Sequence, residues 1–289
     1  MPSSHPGRRT ARLAVAALLL LSAVAYTAWV LEVVVSTGLD PVQAYISELA
    51  AEDQPLGGLF RATDLVAGLA VLAAAGTALL TGSYGAPDSA PPDHEPVGHG
   101  TADHEPVGHG TADHEPAGRI PAARRPWAVT GWAALALFGA ATAADSRLPL
   151  SCAPTSDEMC AARETAGLVP ATHTAHAVTS SLAMLGALGG LVALTVAARR
   201  YGWWPPVGRY GPWLLAGELL ATGWSLAAIA AFEAGRGTWS LGAGQRLQVL
   251  LVALWLAVLA GSLARGAGPA AIEGVPGRAR TGAEGAEPR

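Results

Sequence analysis

Six apolar stretches, each long enough to cross a bilayer, constrain this 289-residue chain more than any other feature. A hydrocarbon core of ~30 Å takes about 17–25 helical residues. The stretches near Leu13–Val35, Leu59–Leu80, Trp127–Ala144, Thr172–Ala198, Trp213–Phe232 and Leu247–Leu263 meet that length. In lipid each segment must satisfy its own backbone N–H and C=O groups, so the expected fold class is all-α, a polytopic bundle of six transmembrane helices. Gly131 and Gly139 make the third stretch the least regular helix candidate. Only 14% of residues are charged, against about 25% in soluble domains. The mean hydropathy of +0.33 stays modest because the polar residues are gathered into a few blocks.

Arginine placement sets the expected orientation. The chain has no lysine, and its 18 basic residues are all arginine, which excludes lysine-based chemistry such as a Schiff base or a P-loop. Arg8, Arg9 and Arg12 precede the first span, and Arg119, Arg124 and Arg125 precede the third. Arg199, Arg200 and Arg209 fill the fourth-to-fifth connection, while Arg265, Arg278, Arg280 and Arg289 follow the sixth span. Arg61, Arg147, Arg163, Arg236 and Arg246 fall on the other side, a division of 13 to 5. The positive-inside rule then predicts both termini in the cytoplasm of a bacterial plasma membrane. Trp127, Trp203, Trp204 and Trp213 fall at the expected inner interface. Arg8-Arg9 before an apolar run with Ala23-Val24-Ala25 resembles a signal peptide, but the run continues ten residues further to Val35, which favours a retained anchor. With a net charge of −4 and no dominant basic surface, no nucleic-acid partner is expected.

The expected organisation is a cytoplasmic segment 1–12, a membrane domain 13–265 with an insert at 83–125, and a disordered tail 266–289. The insert repeats Asp93-His94-Glu95-Pro96-Val97-Gly98-His99-Gly100-Thr101-Ala102 from Asp103, and a third copy decays after Pro116. Proline and glycine in every copy cannot build a packed core, so the insert reads as disordered. Its histidines and carboxylates leave a divalent-metal reading open beside a simple slippage duplication. Cys152 and Cys160, in the connection expected outside, form a natural local disulfide.

Most remaining polar chemistry gathers at that outer end. The first loop carries Ser47 and Glu48; the second helix opens with Arg61 and Asp64; the third ends at Asp145. The fourth opens with His173 and His176, with Ser180 a turn later, and the sixth with Gln245-Arg246. Glu32, in the outer third of the first span, is an added member of the cluster, while Glu218 in the fifth stays unassigned. Arg61 with Asp64, and His173 with His176, are spaced i,i+3 and share helix faces. Ionisable groups in spans are costly unless paired or hydrated, so they should face one another. Three chemistries fit. The first is hydrolysis, with Ser47 or an activated water, His176 as base and Asp64 or Asp145 orienting it. The second is a divalent metal held by His173, His176 and a carboxylate. The third is an ion-pair network tying the first loop to the helices, with Glu48, Arg61, His173, Arg246 and Glu32 as binding or structural members.

The run Ser47-Glu48-Leu49-Ala50-Ala51, Gln54-Pro55, Leu59-Phe60-Arg61, Asp64-Leu65 and Gly68 resembles the DUF998 family of bacterial six-helix membrane proteins. Asp145, Pro149, Cys152-Ala153-Pro154, Cys160, His176 and Gln245-Arg246 fit its actinobacterial branch, as does the Ala/Arg/Gly-rich, lysine-free composition. The resemblance covers about Arg12 to Arg265 without the repeat. It implies a fold and a location and no reaction. More distantly, the first-loop serine and the six-helix plan resemble the Frag1/DRAM/Sfk1 proteins, which implies a link to lipid handling. The leading expectation is a protein that binds a membrane lipid or a membrane partner through an outward polar pocket. A membrane-embedded hydrolase comes second. A small-solute or proton-coupled transporter using Glu32 and Glu218 comes third, without an internal repeat of spans to support it.

Overall fold

The computed structural model describes residues 6–82 and 125–266, so the histidine repeat and the C-terminal tail lie outside the described residues. The described residues are helical, with no strand. The long helices are α1 (Pro6–Tyr26), α2 (Gly57–Thr81), α3 (Pro126–Asp145), α5 (Ala171–Tyr201), α6 (Pro205–Glu233) and α7 (Leu241–Gly266). With α1 extended through a 3₁₀ turn to Val33, all six are long and apolar enough to cross a membrane. A short α4 (Glu158–Thr165) sits between the third and fourth spans, started by the Asp157 carboxylate accepting the Met159 N–H at 2.9 Å.

The first span differs from a continuous helix to Val35. Thr27 Oγ1 donates to the carbonyls of Ala23 and Val24, and beyond it the chain tightens into the 3₁₀ helix Ala28–Val33. Span six begins earlier than its apolar stretch, at Leu241, so Gln245 and Arg246 are helical and have fixed directions. Proline opens α3 and α6, where a missing N–H costs nothing.

The six long helices form a closed ring in which α1 touches α2, α2 touches α3, α3 touches α5, α5 touches α6, α6 touches α7, and α7 returns to α1. Trp132, Phe138, Leu135, Leu194, Trp255 and Leu256 fill its interior. Glycines set the closest approaches. A Cβ on Gly68 would lie 2.8 Å from the Gly139 carbonyl, and one on Gly139 would lie 2.7 Å from that of Gly68, so the backbones of α2 and α3 meet directly. Gly139 is therefore a packing requirement in a regular helix. Gly186 plays the same part between α5 and α3, where a Cβ would stand 2.5 Å from the Phe138 nitrogen.

Outward faces are also apolar: Leu80, Leu220, Leu226 and Trp213 are largely exposed on helices whose inner faces are equally hydrophobic. Such a surface is stable only against hydrocarbon. Two expected surface roles change. Trp203 and Trp204 are buried against their neighbours rather than exposed, and the Arg125 guanidinium stacks 4.5 Å over the Trp203 ring. Arg12 is buried too, and donates to the Gly266 carbonyl at 3.2 Å, joining α1 to the end of α7.

Candidate functional site

Loop 1, residues 34–56, folds back over one end of the ring and is fastened on every side. Its 3₁₀ helix Ile46–Ala50 carries Glu48, which is fully buried. One Glu48 oxygen accepts the Thr155 N–H at 2.9 Å and the other the Thr155 hydroxyl at 2.5 Å. Thr155 belongs to the segment closed by the Cys152–Cys160 disulfide, whose Cα atoms are 6.0 Å apart. Burial pushes the Glu48 carboxyl up to about 7, although the two Thr155 bonds oppose that rise. Loop 1 is also held by Arg61 of α2, whose Nη1 donates to the Ala50 carbonyl at 2.7 Å and to that of Ala51 at 3.2 Å.

The N-terminal end of α7 completes the attachment. Gln245 Oε1 accepts the Ile46 N–H at 2.9 Å, and Arg246 Nη1 donates to the Ala44 carbonyl at 3.0 Å. Arg246 also meets Glu32 in a buried bidentate pair, with distances of 2.5 and 2.7 Å. Loop 1 passes so close to α7 that a Cβ on Gly242 would lie 2.3 Å from the Ala44 carbonyl.

Beneath this cap lies a cavity of about 160 Å³. Its wall comes from α1 and the following 3₁₀ turn, the loop-1 3₁₀ helix, and α2, α3, α5 and α7; α6 contributes nothing. Ser47, Arg61, Asp64, Asp145, His176 and Ser180 all line it, so six polar positions read from the sequence do converge. Asp145 closes a dense knot. It accepts hydroxyl protons from Thr179 and from Ser180, the latter at 3.0 and 3.1 Å, and His176 Nδ1 lies 3.1 Å away. That nitrogen also lies 3.1 Å from the Leu148 carbonyl, while His176 Nε2 faces Ser180 Oγ at 3.3 Å. The Asp64 carboxylate, one helix across, and the Ser47 hydroxyl make no hydrogen bond or ion pair among the described residues.

Other expected pairings take different partners. His173 does not join His176: its Nδ1 lies 3.0 Å from Ser151 Oγ and its Nε2 lies 3.4 Å from Glu164. Three residues along a helix leave a rotation of roughly 60° between side chains, and at the first turn of α5 that sends His173 toward the disulfide segment. Accordingly, no group of three His, Cys, Asp or Glu side chains suited to a metal occurs among the described residues. Arg61 and Asp64 are not paired with each other; Arg61 Nη1 turns instead to the loop-1 carbonyls. Glu218 is buried, 1% exposed, beside the Gln248 amide, which donates to Thr222 Oγ1 at 2.8 Å.

Sequence reasoning missed Tyr26, Trp29 and Thr142, which also line the cavity. The aromatics read as the apolar end of a span. Thr142 read as a neutral helix residue, yet it is buried with its hydroxyl unpartnered.

Fold and site together define a multi-pass helical membrane protein with a loop-capped polar cavity at one end. The chain belongs to the family described as protein of unknown function (DUF998), whose family model matches residues 7–90 and 117–262. The gap between those matches contains the decapeptide repeat. No curated protein and no solved structure matches the chain.

Proposed function

We propose that this chain is a non-enzymatic binding protein of the bacterial plasma membrane, holding the polar headgroup of a lipid in the cavity beneath loop 1. Both termini lie in the cytoplasm and loop 1 lies outside on this reading, supported by the 13-to-5 arginine division. The carrying observation is the cavity itself: about 160 Å³, with polar groups converging at a depth where ionisable side chains are otherwise costly. Its test is lipid carried through purification of the full chain in mild detergent. Native mass spectrometry should find one phospholipid retained by the wild type, and none by Ala183→Phe or Ser47→Trp, which fill the cavity from its wall and its cap. Retention undiminished in both folded variants would contradict the reading.

A hydrolase is the second reading, favoured by the connection Ser180–His176–Asp145 in nucleophile, base and orienter order. Against it, Ser180 also points its hydroxyl at both Asp145 oxygens, so its proton goes to the carboxylate. A transporter using Glu32 and Glu218 fares worse, since Glu32 is locked to Arg246 and Glu218 sits on the one long helix outside the cavity wall.

A further inference from the structure

We infer that the group held in the cavity is a cationic amine, a primary or quaternary ammonium, bound against Asp64; this rests on the cavity being a ligand site. The two carboxylates lining the cavity differ in their partners. Asp145 is saturated by Thr179, Ser180 and His176. Arg61 Nη1 is held on two loop-1 carbonyls, which orient the guanidinium without cancelling its charge. His176 places Nδ1 between Asp145 and the Leu148 carbonyl, with Nε2 against Ser180. Asp64 is the carboxylate lining the cavity whose side chain has no hydrogen bond or ion pair among the described residues. An ammonium held there would give the Asp64 carboxylate the hydrogen-bonding partner it lacks.

The wall has matching chemistry. Tyr26, Trp29 and Phe60 line the cavity, and aromatic faces attract a desolvated cation through their quadrupole. Thr142 also lines the cavity and is 4% exposed, with its hydroxyl oxygen buried and unpartnered. Size agrees as well. An engineered cavity of roughly 150 Å³ admits benzene, so about 160 Å³ suits an ethanolamine or choline group. The amine can arrive on a lipid or as a free solute.

The test uses the full chain in detergent with phosphatidylethanolamine, phosphatidylcholine and phosphatidylglycerol of matched acyl chains, read by native mass spectrometry. The two amine lipids should bind at least tenfold tighter than phosphatidylglycerol. Asp64→Asn should erase that preference, and Asp64→Glu should keep it. Free ethanolamine and choline are then added as competitors. Competition that Asp64→Asn abolishes identifies a free amine as sufficient, and amine-lipid preference without competition identifies the headgroup; both support the assignment. Equal binding of all three lipids by wild type and Asp64→Asn overturns the amine while leaving lipid binding intact. No lipid and no amine bound by the wild type overturns both.

Discussion

Glu48 and Thr155 are joined by two hydrogen bonds, 2.9 Å from the N–H and 2.5 Å from the hydroxyl, across 107 residues of sequence. This clip fastens the loop-1 cap to the disulfide segment, and it titrates. Burial raises the Glu48 carboxyl from 4.5 to about 7. Between those values the folded chain holds a proton that the unfolded chain has released. The contribution of Glu48 is therefore fully present below about pH 4.5 and is lost as pH rises through 7. Glu48→Gln keeps both contacts and removes the charge, so its stability relative to wild type should rise by about 3 kcal/mol between pH 4.5 and pH 8. Thermal melts of both proteins across that range check it; parallel pH profiles would contradict it.

Arg246 and Glu32 make the second fastening, and both side chains are nearly buried. Arg246→Met strands a carboxylate in a dry setting, a loss of about 3–5 kcal/mol. Replacing both residues, in Glu32→Met/Arg246→Met, removes the stranded charge and should recover about 1 kcal/mol or more of that loss. Tm values of the two single variants and the double variant measure the coupling, and a double variant no more stable than Arg246→Met would exclude it.

Ser180 should be inert as a nucleophile because its hydroxyl is directed to Asp145. Fluorophosphonate treatment of the detergent-solubilised protein should leave Ser180 and Ser47 unlabelled, as read by peptide mass spectrometry. Stoichiometric labelling of either serine, abolished by His176→Ala, would establish the hydrolase reading instead.

Orientation can be read directly. Met159 is exposed on α4, and the two native cysteines are joined to each other. Met159→Cys should react with a membrane-impermeant maleimide in intact cells. Labelling only after lysis would place loop 1 in the cytoplasm.

The helices were legible because lipid imposes one local rule: an apolar run of sufficient length must be helical. That rule held even where Gly131 and Gly139 argued for irregularity, since those glycines make room for the Leu194 side chain and the Gly68 backbone. The convergence of Asp64, Asp145, His176 and Ser180 was legible for a related reason, because an even–odd alternation of spans brings those helix ends to one face. Partner choice was not. Glu48 bonds Thr155 and Arg246 bonds Glu32 at sequence separations of 107 and 214 residues, which no local spacing encodes. His173 diverged from His176 because i,i+3 neighbours share a face only approximately. Tyr26 and Trp29 were hidden by being apolar enough to pass for membrane contacts.

The central claim is that the cavity under loop 1 is a ligand site, and a crystal structure grown in a lipidic mesophase doped with phosphatidylethanolamine tests it most directly. Headgroup density under loop 1, with its nitrogen within about 4 Å of the Asp64 carboxylate and against Tyr26 and Trp29, is the predicted result. A cavity holding only ordered water, with the Arg61 guanidinium turned inward onto Asp64, would contradict it.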